Sequence, residues 1–114
     1  MKIYHLKSCD TCRKAIKALR AAGHEPALID VRADGVDAAT LEKFEAAFGY
    51  ETLVNKKSAT WRGLSDSQKS NLSRETAIVL LLENPTLMKR PVIEQNESLS
   101  LGWTKTVQAQ YGLI

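Results

Sequence analysis

The sequence predicts an α/β fold, and three observations carry that prediction. A strand, an amphipathic helix and a second strand follow one another at the start of the chain. Two strands and a helix close it, and the stretch between them is helical. Lys2-Ile3-Tyr4-His5-Leu6 reads as a short buried strand. A helix opens at Ser8 and Cys9 and runs to about Ala22, with Cys12, Ala15, Ile16 and Leu19 recurring at i, i+3, i+4 and i+7. Gly23 is suited to the left-handed position that ends such a helix. Pro26 to Val31 forms the second strand, reached by a connection long enough for a parallel, right-handed crossover.

Asp34-Gly35 turns the chain. Asp37 caps a helix with Leu41, Phe44 and Phe48 on one face, and Gly49 ends it. Residues 50 to 64 are less regular. Ser65 or Asp66 caps a short helix, and Ser73 starts another whose inward residues are Ala77, Ile78, Leu81 and Leu82. Asn84-Pro85 breaks that helix. Pro91 to Glu94 and Ser98 to Leu101 form a hairpin across Gln95-Asn96-Glu97, and Thr104 caps a final helix through about Tyr111. The resulting order is β-α-β, a helical insertion at about residues 35 to 84, then β-β-α. This is the thioredoxin/glutaredoxin arrangement with a mixed four-stranded sheet, here in a single domain spanning residues 1 to 114.

Composition narrows the function classes. The chain has 114 residues, 44% hydrophobic and 25% charged, which excludes a disordered polymer. Its longest apolar run, Ala77 to Leu82, is too short to span a bilayer, and no signal-peptide segment follows Met1. A cytoplasmic protein is expected. Sixteen Lys and Arg against 13 Asp and Glu give a net charge of +3, a lean toward anions without a nucleic-acid signature.

The two cysteines, Cys9 and Cys12, form one C-x-x-C. A bridge across two intervening residues closes a tiny loop and removes little unfolded-state entropy, so redox chemistry explains the pair better than stapling. Cys9 falls where the first strand ends and the helix begins. Free N–H groups and the positive end of the helix dipole lower a thiol's pKa there, which suits a nucleophile. Cys12, about one turn on, is placed to resolve a mixed disulfide. Competing readings are a buried, inert pair, and a zinc site for which only His5 and His24 remain, at poor spacings and with His24 in an exposed turn. Arg90-Pro91, just before the third strand, faces the redox motif in such a fold. Arg90 offers a permanent cation to the sulfur or to a bound oxyanion, and Pro91 shapes the cleft; the alternative is a surface pair of basic residues beside a strand-starting proline. Lys56, Lys57 and Arg62 read equally as an anion site or as a solvated basic loop. Trp61 and Trp103 read as core or loop anchors.

Ser8-Cys9-Asp10-Thr11-Cys12-Arg13-Lys14-Ala15, followed by Asn84-Pro85-x-x-x-Lys89-Arg90-Pro91-Val92-Ile93, resembles the ArsC/Spx family, most nearly its small YffB-type members. The resemblance extends over essentially the whole chain, including Thr60-Trp61-Arg62-x-Leu64. It implies Cys9 as the reactive thiol and Arg90 as the arginine near it, before a cis Pro91. The family's arsenate reductases surround the cysteine with three arginines. Only Arg90 matches; Asn55 stands at the first position and about Gly102 at the last. The second cysteine departs from those reductases and matches the Spx regulators.

These observations support a thiol–disulfide oxidoreductase with Cys9 attacking, Cys12 resolving and Arg90 stabilising the thiolate. Pro91, Asn55, Lys56 and Arg62 are the candidate substrate contacts. Small thiols or oxyanions are the expected substrates, with glutathione or glutaredoxin as partners and no metal or organic cofactor. No membrane or direct nucleic-acid binding is expected. Two alternatives stand beside it: an arsenate reductase coupled to glutathione and glutaredoxin, and a Spx-like regulator that binds RNA polymerase and is switched by the Cys9–Cys12 disulfide.

Overall fold

The structure is a computed structural model that describes residues 1–114. In chain order its elements are β1 (Lys2–His5), α1 (Asp10–Ala21), β2 (Ala27–Asp30), α2 (Ala38–Phe48), α3 (Tyr50–Leu53), α4 (Ala59–Arg62), α5 (Asp66–Ser70), α6 (Arg74–Glu83), a 3-10 turn (Pro85–Leu87), β3 (Val92–Gln95), β4 (Ser98–Leu101) and α7 (Lys105–Gln110). The sheet order is β2-β1-β3-β4. β1 and β2 are parallel, with Ile3 opposite Leu28 and His5 opposite Asp30. β3 runs antiparallel to both β1 and β4. This is a thioredoxin/glutaredoxin-like fold with a helical insertion.

The chain forms two compact units, Met1–Asp34 with Arg90–Ile114, and Gly35–Lys89. The second outruns the expected insertion end at about residue 84 for a reason visible in its backbone. Beyond Asn84, the chain stays tied to the segment after α3: Asn55 N–H donates to Leu87 O at 2.9 Å, Lys89 N–H donates to Leu53 O at 2.8 Å, and Val54 bridges Met88.

In the first unit, Ile3 and Ile93 of the sheet pack with Ala15, Ile16 and Leu19 of α1 and with Val107 and Tyr111 at the C-terminal end. Trp103 lies half-buried against this cluster as an anchor. The expected apolar stripe of α1 is the buried one, Cys12 included. Gly23, at φ +92°, ends the helix in the left-handed conformation that its missing Cβ permits. The next residue differs from expectation. His24 is half-buried, with its Nε2 3.1 Å from the Tyr111 carbonyl oxygen, because α7 returns the chain over that turn. The Tyr111 hydroxyl in turn meets Ser100 Oγ at 2.8 Å.

In the second unit, Asp37 caps α2 by accepting from Thr40 N–H at 2.8 Å. Gly49, at φ +81°, separates α2 from α3. Residues 50 to 64, irregular in the sequence, contain the two short helices α3 and α4. Ser73 and Thr76 cap α6 reciprocally: Thr76 N–H donates to Ser73 Oγ at 3.2 Å, and Ser73 N–H to Thr76 Oγ1 at 2.7 Å. The α6 face is the one correction in the core. Ala77, Ile78 and Leu81 point inward as expected, but Leu80 is buried and Leu82 is 41% exposed. Residues 77 to 82 are apolar on every side, so their periodicity could not set the phase; packing against α2 does. No helix is long and apolar enough to cross a membrane.

The corrected face is testable by urea unfolding. Leu80→Ala should lower stability by about 2–5 kcal/mol, the range for emptying a buried leucine site. Leu82→Ala should lower it by less than half as much. Equal losses would show that α6 is turned otherwise.

Candidate functional site

Three residues, Leu6 to Ser8 with Cys9 closing the turn, carry the chain from the end of β1 into α1. Cys9 N–H donates to Leu6 O at 2.9 Å, and Cys9 O accepts from Arg13 N–H at 3.1 Å. Cys9 is therefore the N-cap residue, with extended dihedrals of φ −87° and ψ 114°. Its side chain forms no capping hydrogen bond. It is half-buried, whereas Cys12, on the inner stripe of α1, has no solvent exposure. Both are free thiols.

Burial alone would raise the Cys9 pKa. The Cys12 backbone N–H facing the sulfur, the Cys12 thiol donating to it and the Arg90 guanidinium outweigh that effect, and Cys9 is held below the ordinary thiol value. Cys12 moves the opposite way, pushed up to about 12. Burial is the main cause, and the neighbouring Cys9 sulfur adds to it; a backbone hydrogen bond at Leu6 and the Arg90 charge oppose it only in part. The two thiols of the pair are thus shifted in opposite directions, Cys9 toward the thiolate and Cys12 toward the protonated form.

Arg90 is the first residue of the first unit after the insertion, and its peptide bond to the buried Pro91 is cis. Pro91 O accepts from Gly102 N–H at 2.9 Å. Gly102 sits at φ +83°, a conformation that residues with side chains rarely adopt. An arginine at that position would strain this backbone.

Sequence reasoning missed Asp30. Its side chain is buried at the end of β2. Oδ1 accepts from Arg32 and Ala33 N–H at 2.9 Å each, and Oδ2 accepts from Lys7 N–H at 3.3 Å. The Ala33 amide is the main cause that lowers its pKa, against burial and with help from the Arg32 and Lys7 amides and His5. One carboxylate therefore pins the loop two residues before Cys9. The available signal was an aspartate ending a strand, a residue type that bonds backbone amides a few positions on.

The remaining candidates lie in the second unit, in a loop that braces itself. Asn55 Oδ1 accepts from Lys57 N–H at 3.1 Å, and Asn55 O accepts from Ser58 Oγ at 2.8 Å. Lys56 Nζ stands 5.7 Å from the Trp61 ring centroid, a cation–π contact that makes Trp61 a loop anchor. Arg62 Nη1 donates to Lys57 O at 3.0 Å. Asn55, Lys56, Lys57 and Lys89 border a cavity of about 500 Å³. The structure thus groups Cys9, Cys12, Arg90 and Pro91 in one unit, and Asn55, Lys56 and Arg62 in the other. No cluster of three or more His, Cys, Asp or Glu side chains could hold a metal ion.

The ArsC family model matches residues 4–109. An uncharacterized protein of Haemophilus influenzae is 44% identical over 110 residues, which is 96% of this chain and 96% of that one. The solved structure of a YFFB protein matches with a TM-score of 0.90 at 32% identity, covering 96% of each chain. An arsenate reductase (ArsC) related protein from Brucella melitensis gives a TM-score of 0.76 at 33% identity, covering 98% of this chain and 96% of its own.

Divergent thiols predict divergent alkylation. At pH 7, iodoacetamide should label Cys9 alone, with Cys12 unmodified by mass spectrometry. The Cys9 rate should rise with pH and level off at a midpoint below the ~8.5 of a free cysteine. A midpoint at or above that value would remove Cys9 as the nucleophile.

Proposed function

The chain belongs to the ArsC family, and from that premise we propose that it is a thiol–disulfide oxidoreductase that uses a small thiol such as glutathione as its reductant. The observation that carries the proposal is the split between the two thiols: Cys9 lowered beside Arg90, Cys12 buried and raised. In the first step the Cys9 thiolate attacks one sulfur of a substrate disulfide. The substrate S–S bond breaks, a Cys9–substrate bond forms, and the departing thiolate takes a proton from water. The Cys9 charge is then gone, and with it one of the causes that raise Cys12. Cys12 releases its proton to solvent and attacks the Cys9 sulfur, forming the Cys9–Cys12 disulfide and freeing the second substrate thiol. Two electrons have passed to the substrate. Two molecules of glutathione return them, giving one glutathione disulfide and the dithiol protein.

Arg90 contributes a charge that does not titrate, so its lowering of the Cys9 pKa persists across the neutral range. Arsenate is a poorer candidate substrate. Arg90 remains for it, but Asn55 Oδ1 already serves the Lys57 amide and Gly102 has the left-handed backbone. Each absent charge-assisted contact removes about 1.5–3 kcal/mol, so two removed contacts weaken transition-state binding by roughly two to four powers of ten.

Three measurements test this reading. Cys12→Ser should trap a mixed disulfide, found by mass spectrometry at Cys9; an adduct on position 12 in Cys9→Ser at equal rate would reverse the roles. Arg90→Ala should slow reduction of a small disulfide at pH 7, by at most about tenfold for each unit that the Cys9 pKa rises, and the rate should recover at alkaline pH. A loss unchanged by pH would place Arg90 in substrate contact rather than in thiolate stabilisation. Steady-state arsenate reduction with glutathione and glutaredoxin should be slower than reduction of a small disulfide or a glutathione adduct. Efficient arsenate turnover would replace the proposal with the arsenate reductase reading.

A further inference from the structure

The two units carry their charge differently. The first holds nine Lys and Arg against six Asp and Glu, while the second holds seven of each, so the net charge of +3 belongs to the first. Four of those nine cations, Lys7, Arg13, Lys17 and Arg20, line one groove of about 450 Å³ beside α1 and β2, and none of the six carboxylates does. Arg13, Lys17 and Arg20 recur at i, i+4 and i+7, which places them along one side of α1. Asp10, the one acid of α1, is ion-paired with Arg13, and Asp30 is occupied by backbone amides. The same groove also exposes apolar surface. Ile16 and Leu28 line it, and Leu28, on the edge strand, is 40% exposed.

One end of the groove lies close to Cys9 along the chain. Lys7 lies two residues before Cys9, and Arg13 Nη1 donates to Lys7 O at 3.3 Å. From Arg13 to Arg20 the cations extend about 10 Å along the helix, the length of roughly three extended residues. An acidic stretch of peptide carrying an apolar residue matches that length, that charge and that partly apolar lining. A nucleic-acid strand matches the charge but would leave Ile16 and Leu28 uncovered, and the one ring that lines the groove, His5, is buried and offers little face for a base to stack on.

We infer that this groove docks an acidic segment of a disulfide-bearing protein and brings that protein's cystine to Cys9. The inference rests on the thiol–disulfide reading above and extends it from small disulfides to a class of protein substrate. Docking adds no redox step: the partner's disulfide is the one that Cys9 opens, and its two sulfurs leave as thiols. Electrostatic attraction at the groove would act on encounter, so its signature is a salt-sensitive rate.

The test uses the full chain and two labelled peptides without cysteine, one with glutamates flanking a leucine and one with glutamines in their place. By fluorescence anisotropy at low salt, the acidic peptide should bind about tenfold more tightly than the neutral one. Lys17→Glu/Arg20→Glu should abolish the difference, and Lys17→Gln/Arg20→Gln should reduce it, both with unchanged circular dichroism. With a cystine added to each peptide, Cys12→Ser should trap the acidic one about tenfold faster, and the lead should vanish in high salt. The rate with a small neutral disulfide should be the same in all the Lys17 and Arg20 variants. Equal binding of the two peptides would overturn the inference. So would a preference that survives both double variants, or displacement of the acidic peptide by an equimolar single-stranded oligonucleotide. Preferential binding without any reaction at Cys9, with peptide or small disulfide, would instead retire the thiol–disulfide reading and leave the groove's ligand class standing.

Discussion

The short passage from β1 to α1 is the constraint on which the site depends. The chain leaves a central strand at His5 and is already helical at Asp10. The turn in between is closed by the Cys9 N–H to Leu6 O bond and held from the side by Asp30, which takes the Lys7 amide. Because β1 is paired on both edges, by β2 and β3, the start of α1 has little freedom to shift. The helix N-terminus then presents its open amides at one fixed place, and the residue at that place is a cysteine. Its acidity follows from backbone geometry and from Arg90 together.

The same helix gives its two cysteines opposite characters. At the N-cap, Cys9 stands partly in solvent. Three residues later the helical repeat carries Cys12 onto the face that packs beneath, where burial holds the proton on the sulfur. A spacing of two intervening residues is what separates cap from core while leaving the sulfurs in reach of each other. Arg90 acts on both thiols, lowering each, yet only at Cys9 does its effect join others strong enough to overcome burial.

Much of this was legible in the residues themselves. The stripe of Cys12, Ala15, Ile16 and Leu19 has only one consistent helical phase, so α1 and its buried face could be read directly, and Thr104, Asp37 and Ser73 announce their helices by side-chain chemistry. The phase of α6 could not be read because Ala77 to Leu82 is apolar throughout, and the choice between Leu80 and Leu82 belongs to its packing partner. His24 escaped for a related reason: a histidine after a helix-ending glycine looks exposed until Tyr111, far along the chain, returns to cover it. Asp30 was hidden by being useful to the backbone rather than to a partner side chain. The four lysines and arginines of the groove were visible singly, but their convergence beside Leu28 depends on β2 lying at the sheet edge.

Arg90 marks the point where the chain rejoins the sheet-bearing unit after the insertion. The helical unit leaves the sheet after Asp34 and returns at Arg90, and everything between those points closes upon itself through α2, α6 and the bonds linking Leu53 and Asn55 to Leu87 and Lys89. The cation that acts on Cys9 belongs to the sheet-bearing unit, and its neighbour Pro91 is anchored there by the Gly102 amide. The residues that set the Cys9 charge, namely Cys12 and Arg90, therefore all lie within one compact unit. Two of the insertion's cations, Lys56 and Arg62, are engaged within their loop, one over the Trp61 ring and the other on the Lys57 carbonyl oxygen. The groups that lower the Cys9 pKa are thus supplied by the sheet-bearing unit itself, and none of them comes from the insertion.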